Sequence, residues 1–239
     1  MKILITGHKG YIGSCLTKRL ESKGHTIEGL DLKDGQDIRV IPIIGPYDLV
    51  IHLAGKSGVR ESLTQPGEYW EQNVEGFRRI LNLFAKTTRI LYASSSSAAE
   101  PDLNPYGASK FCMERAAGRY KDTLGMRFHT VYNEQPREGM FIQKLLDGEL
   151  KWINNHSRDF IHMEDLLDAI ELLIDSKYIG TIDIGTGVTV PIPALVPEDF
   201  PVHLNSVGER LKTCADIKSL KKLGFKPKYD VIKFIKEHT

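Results

Sequence analysis

The stretch Thr6-Gly7-His8-Lys9-Gly10-Tyr11-Ile12-Gly13 restricts this chain more than any other feature. It is a GxxGxxG turn between a short apolar run at 2–6 and a segment of helical spacing, 11–24, that stops at Gly24. A short continuous apolar run fits a buried parallel strand, so the unit reads as strand, turn, helix. In such a unit Gly7 permits the tight turn, Gly10 lets the backbone approach a pyrophosphate, and Gly13 lets the helix pack on the strand. The freed amides, those of Tyr11 and Ile12 among them, and the positive end of the helix then face the phosphates. Asp31 closes the next expected strand, 25–32, and lies 24 residues beyond Gly7. A carboxylate there accepts hydrogen bonds from both hydroxyls of an adenosine ribose and repels a 2′-phosphate, which favours NAD over NADP. Lys9 points the other way, because a base in this turn can help bind a 2′-phosphate. The bland alternative is a structural glycine turn followed by an unrelated acid.

Further strands are expected at 47–55, 89–97, 125–133 and 181–187, and helices at 68–87, 105–125, 141–149 and 163–176. Trp70, Val74, Phe77, Ile80, Leu81 and Phe84 fall largely on one face of the second helix. The alternation, with the glycine turn, predicts an α/β fold, a Rossmann-type doubly wound parallel sheet, followed after Asn133 by a small C-terminal region of looser pattern. Residues 1–133 and 161–187 are assigned to the NAD-binding domain, and 134–160 and 188–239 to the smaller region. Four prolines between 191 and 201 predict irregular structure over 188–206.

Composition removes several classes. Thirty-two basic residues against 31 acidic ones leave a formal charge of +1, so no polyanion-binding field exists and nucleic acid is not expected as a partner. Cys15, Cys112 and Cys214 are far apart and odd in number, which gives no disulfide framework and no metal set and predicts a reducing, cytoplasmic setting. No apolar run approaches the roughly 18 residues of a membrane span. The N-terminus reads as a strand rather than a signal peptide.

The chemistry is expected on the helix at 105–125. Tyr106 and Lys110 are four residues apart and share one helical face. An ammonium beside a phenol stabilises phenolate, so the tyrosine becomes a usable base near neutral pH. The preceding strand ends in Ser94-Ser95-Ser96-Ser97, and a hydroxyl there can hold the same substrate oxygen. An ordinary polar loop would read similarly. His52 and Trp152, like Trp70, read more simply as packing residues.

With these motifs in view the chain resembles the extended short-chain dehydrogenase/reductase family, the NAD-dependent nucleotide-sugar epimerases and dehydratases, over almost its whole length. TGHKGYIG matches TGxxGxxG, and YGASK matches the active-site helix. The resemblance implies that Asp37 and Ile38 contact adenine. It also implies that Leu53, Ala54 and Gly55 of HLAG border the cofactor, that Asn73 is the family's helix Asn, and that His129 replaces an aromatic residue near the nicotinamide. It implies Ser95, rather than Ser96, as the catalytic hydroxyl beside Tyr106 and Lys110. RDFIHMEDL at 158–166 resembles the segment whose Arg, here Arg158, contacts the sugar-nucleotide diphosphate. GVRESLTQP (58–66) and RFHTVYN (127–133) are most similar to UDP-glucuronate 4-epimerases, which implies Ser96, Ser97, Thr130 and Arg137 at the sugar. The stretch from Asp31 to Asp37 is very short, so a helix and a strand of the family pattern are expected to be missing.

The expected function is NAD-dependent C4 inversion of a UDP-hexose or UDP-uronate through a 4-keto intermediate. A reductase or dehydrogenase with net hydride transfer uses the same Ser, Tyr and Lys. A trimmed, non-catalytic NAD-binding module is the third reading. The resemblance further implies a homodimer through a four-helix interface built from 68–87 and 105–124, to which Phe111, Met113 and Tyr120 could contribute, while burial against the parent sheet explains them equally well.

Overall fold

A computed structural model describes residues 1–204 and 206–239; Asn205, inside the proline-rich stretch, lies outside the described residues. Two compact units divide the chain. The first comprises residues 1–127 and 177–182, the second residues 128–176 and 183–239.

In chain order the first unit contributes β1 (Lys2–Thr6), α1 (Tyr11–Ser22), β2 (Thr26–Leu30), β3 (Leu49–His52), α2 (Val59–Thr64), α3 (Pro66–Tyr69), α4 (Gly76–Phe84), β4 (Arg89–Ser95) and α5 (Pro105–Ala117), and the chain then enters β5 (Thr123–Phe128). There follow β6 (Thr130–Tyr132), α6 (Phe141–Leu146), β7 (Ile153–Asn154), β8 (Ser157–His162), α7 (Met163–Asp175), β9 (Gly180–Ile184), β10 (Thr189–Pro191), β11 (Val202–His203), α8 (Lys218–Lys222) and α9 (Val231–His238). A six-stranded sheet runs β2-β1-β3-β4-β5-β9, and the pairs β1–β2, β1–β3 and β3–β4 are parallel. This is the expected Rossmann-type order, with the topological switch between β1 and β3, at whose carboxyl ends such sheets bind ligands.

The apolar runs explain the sheet. Leu4, Val50, Ile90 and Tyr92 are buried against Phe77, Ile80, Leu81 and Phe84 of α4 and Met113 and Ala117 of α5. Each large apolar side chain removed from water contributes about 1.5–3 kcal/mol before entropy is counted. Between β2 and β3 only a 3₁₀ turn, Leu32–Asp34, interrupts the loop, so β2 is the edge of the sheet. The segment between β2 and β3 is pinned from α4: Arg79 donates to the carbonyls of Ile38 at 2.5 Å and Ile41 at 2.6 Å.

Several elements differ from the sequence expectation. The helix at 68–87 arrives as α3, a π-helical stretch Trp70–Glu75, and α4. The wider π turn shifts the helical register, and Trp70 is turned outward, 48% exposed, rather than packed with Phe77 and Ile80. Trp152 is likewise exposed, beside the His203 ring. The helix starting at Pro105 ends at Ala117 with Gly118 as its cap, and Gly125 instead lies within β5. A side chain at Gly125 would meet the Tyr92 hydroxyl at 2.5 Å, so the glycine serves packing and not helix termination. The strand expected at 125–133 breaks at His129, after which β6 pairs in parallel with β8. The proline-rich stretch is only partly irregular: β10 pairs antiparallel with β8, and β11 pairs in parallel with β7. Pro191 is tolerated because β10 is an edge strand in the order β10-β8-β6.

The second unit has its own core of Tyr132, Ile142, Phe160, Val190, Leu195, Val231, Phe234 and Ile235. A buried carboxylate fastens it: Asp159 accepts from the backbone N–H groups of Thr186, Gly187 and Ala215 at 2.8–3.0 Å.

Candidate active site

The glycine turn is built as its spacing requires. Gly7 has φ +76°, and a Cβ there would lie 2.6 Å from the Ala54 nitrogen. At Gly13 a Cβ would approach the Gly7 carbonyl oxygen to 2.1 Å, so helix and turn touch backbone to backbone. Gly10 caps α1 with extended φ and ψ, no side chain caps the helix, and its first turn carries no acid. The amides that open α1, Ile12 and Gly13 among them, have no intrahelical acceptor and give an anion a ready site.

Asp31 is buried at the end of β2. Its Oδ2 accepts from Lys9 N and its Oδ1 from Lys33 N, both at 2.9 Å, which fixes the carboxylate while leaving lone pairs for further donors. Asp31, Asp37, Ile38, Ala54 and Gly55 line one small pocket together with Gln36. The Asp37 carboxylate is held by the Arg39 guanidinium at 2.7–3.1 Å, and that bond keeps its pKa below the usual carboxylate value. Leu53 continues past β3, its N–H bonded to the Thr6 carbonyl at 2.9 Å.

Tyr106 and Lys110 lie on the first two turns of α5. Asn104 caps that helix, accepting from Gly107 N at 2.7 Å, and Pro105 occupies the first position. A Cβ at Gly107 would come within 2.7 Å of the Ser97 carbonyl, so the helix start sits directly on the turn that follows β4. Ser95 ends β4, and its Oγ accepts from Ser97 N at 3.1 Å; Ser96 and Ser97 open the 3₁₀ turn. Lys110 is buried and donates to the Ala93 carbonyl at 2.9 Å. Burial lowers its pKa to about 8, because the charged form loses its water.

A second set of residues holds this helix from the other side. Asn73, fully buried in the π-helical stretch, accepts from Lys56 N at 2.8 Å and donates to Ser109 Oγ at 2.9 Å. Ser109 in turn donates to the Tyr106 carbonyl at 2.8 Å. The Tyr69 ring meets the Tyr106 ring edge to face, centroids 6.0 Å apart. Its hydroxyl donates to the Ser57 carbonyl and to Glu61, and burial pushes its pKa up to about 12. Asn104, Ser109 and Tyr69 were not among the sequence candidates. Only Asn104 carried a local signal, an Asn immediately before a helix-starting proline.

In the second unit His129 is buried between β5 and β6, and its Nε2 lies 3.9 Å from Asp183 Oδ2. Thr130 begins β6, and Arg137 lies on the exposed segment before α6. Arg158 lies within β8, its guanidinium 3.0 Å from His156 Nδ1 and 3.3 Å from Glu209. Among the described residues no group of three His, Cys, Asp or Glu could hold a metal ion, and no helix is long and apolar enough to cross a membrane.

The family model of the NAD dependent epimerase/dehydratase family matches residues 3–185. The chain belongs to that family. Among relatives of this epimerase/dehydratase chain, Protein CapI of Staphylococcus aureus is 29% identical over 73% of this chain and 69% of its own length. A probable UDP-glucuronate 4-epimerase of Rhizobium meliloti is 27% identical over 71% of this chain and 67% of its own length. The solved structure of MoeE5 in complex with UDP-glucuronic acid and NAD superposes with a TM-score of 0.83, at 27% identity, over 99% of this chain and 97% of that one.

NAD is the cofactor of this epimerase/dehydratase family, and the residues present fit it. No side chain caps the N-terminus of α1, which leaves its opening amides for an anion, and the Asp31 carboxylate lines one pocket with Asp37, Ile38 and Ala54. At Gly55 a Cβ would meet Asn73 Oδ1 at 2.4 Å and Lys110 Nζ at 3.7 Å, so glycine keeps this loop against the buried ammonium.

Proposed function

We propose that this chain is a nucleotide-sugar 4-epimerase acting on a UDP-hexose or UDP-uronate, with UDP-glucuronate the preferred substrate. One observation carries the reading: a buried Lys110 ammonium, one helical turn from Tyr106, on a helix seated against the turn after Ser95. That arrangement suits a phenol that must give up and regain a proton near neutral pH.

In this mechanism residues 1–133 and 161–187 form the NAD-binding part. Gly7, Gly10, Tyr11, Ile12 and Gly13 hold the pyrophosphate, Asp31 the adenosine ribose, and Asp37 and Ile38 the adenine. Leu53, Ala54, Gly55, Asn73 and His129 complete the cofactor contacts. Tyr106 takes the proton of the 4-hydroxyl, Ser95 Oγ holds that oxygen, and Lys110 stabilises the phenolate and holds the nicotinamide ribose. When bound, NAD supplies reversible hydride acceptance at C4. The 4-keto sugar turns over, and Tyr106 returns the proton to the opposite epimer. Ser96, Ser97 and Thr130 face the sugar, Arg137 its carboxylate, and Arg158 the diphosphate.

We further propose a reducing, cytoplasmic setting, since Cys15, Cys112 and Cys214 are all unbridged. The groove lined by Arg78, Leu81, Cys112, Ala116 and Tyr120, from α4 and the stretch from α5 to Tyr120, is proposed as the homodimer face. Phe111 is exposed and available to it, whereas Met113 belongs to the core.

The test is incubation with UDP-, GDP- and dTDP-sugars, read by NMR for a C4-inverted product. Inversion of a UDP-sugar without net cofactor consumption is expected. Stoichiometric build-up of reduced cofactor would instead make the chain a dehydrogenase.

A further inference from the structure

The ribose end of the dinucleotide cradle carries four charges on two adjoining turns. The backbone N–H groups of Lys9 and Lys33 both donate to the Asp31 carboxylate, so both lysines start beside the group that meets the ribose. Their side chains then diverge. Lys33 Nζ donates back to the Lys9 carbonyl at 3.0 Å. Lys9 Nζ is bound by Asp34 Oδ1, and the other Asp34 oxygen lies 3.8 Å from His8 Nε2. The His8 ring itself is wedged against Gly29, where a Cβ would meet it at 2.4 Å. Asp34 sits on the 3₁₀ turn that Asp31 caps, so its position relative to Lys9 is set by backbone and not by a long flexible stem.

An ammonium in this place has an obvious competing use. A dinucleotide with a 2′-phosphate would put a dianion beside Asp31, within the region that Lys9 leaves by its backbone. Asp31 opposes that phosphate by charge repulsion, and a free Lys9 would offset the repulsion with a charge-assisted hydrogen bond. The bond to Asp34 removes that option. We propose that Asp34 is a positioning residue that sets the preference for NAD over NADP by holding Lys9 away from the ribose 2′ position. This goes beyond the reaction assigned above and depends only on the dinucleotide site.

The experiment measures dissociation constants of NAD and NADP by calorimetric titration of the whole chain, without sugar nucleotide. Asp34→Asn is expected to tighten NADP by about tenfold, the equivalent of one charge-assisted hydrogen bond. NAD should stay within about twofold of wild type, and the gain should shrink as salt rises, because the pair is partly exposed. The double variant Lys9→Met/Asp34→Asn should lose the gain. An Asp34→Asn protein with unchanged NADP affinity overturns the proposal. So does a gain that survives in the double variant, since Asp34 would then act by its own charge and not through Lys9.

Discussion

At the scale of single residues, the placement of Tyr106 and Lys110 was legible because four residues separate them on one helix. The glycine turn was legible for a similar reason: a positive φ at Gly7 and a backbone contact at Gly13 are local demands that only glycine meets. What the sequence did not reveal is the support around them. Tyr69, Asn73 and Ser109 reach Tyr106 through contacts between elements, which no spacing rule records. Two outcomes belong here. Tyr106→Phe should lower kcat by about 10³-fold while NAD still binds, measured by turnover and by titration. Lys110→Met should abolish turnover yet raise stability by about 2 kcal/mol at pH 7. A buried ammonium whose pKa has fallen from 10.5 to about 8 is a cost below pH 8, and that cost exceeds the lost bond to the Ala93 carbonyl. Urea midpoints of the two proteins check this.

At the scale of elements, the strands of the parallel sheet were readable from their apolar runs, whereas several boundaries were not. The π-helical stretch at Trp70–Glu75 changes helical period without a residue type that announces it, and Trp70 was misread as packing for that reason. The β5–β6 break at His129 is equally silent, because both halves are apolar and differ only in which sheet receives them. Helix α5 depends on its first turn. Asn104→Ala removes the acceptor for Gly107 N and should cost about 1 kcal/mol of stability. Because Tyr106 sits in that turn, kcat should fall more than the sugar-nucleotide KM rises, which steady-state kinetics of the folded variant would show.

At the scale of the molecule, acid sensitivity follows from one buried ring. His52 is fully buried, bonded to Thr6 Oγ1 at 2.7 Å and stacked on Phe77. Burial first, and the Lys110 charge second, lower its pKa from 6.5 to about 3. The unfolded chain therefore binds a proton between those values that the folded chain refuses. Its contribution is complete above pH 6.5 and is lost as pH falls toward 3, by about 2 kcal/mol at pH 5. Unfolding midpoints at pH 7 and pH 5 should differ accordingly, and His52→Asn should flatten that difference. The fold class was readable from the alternation of elements. How the stretch between β2 and β3 is held was not, because part of the answer is a side chain from another element. Arg79 reaches the carbonyls of Ile38 and Ile41, and Ile38, Ile43 and Tyr47 are buried in the core. If Asp37 and Ile38 meet the adenine as proposed, slackening the Arg79 tether would let the nucleotide's far end drift while the reacting end stayed in register.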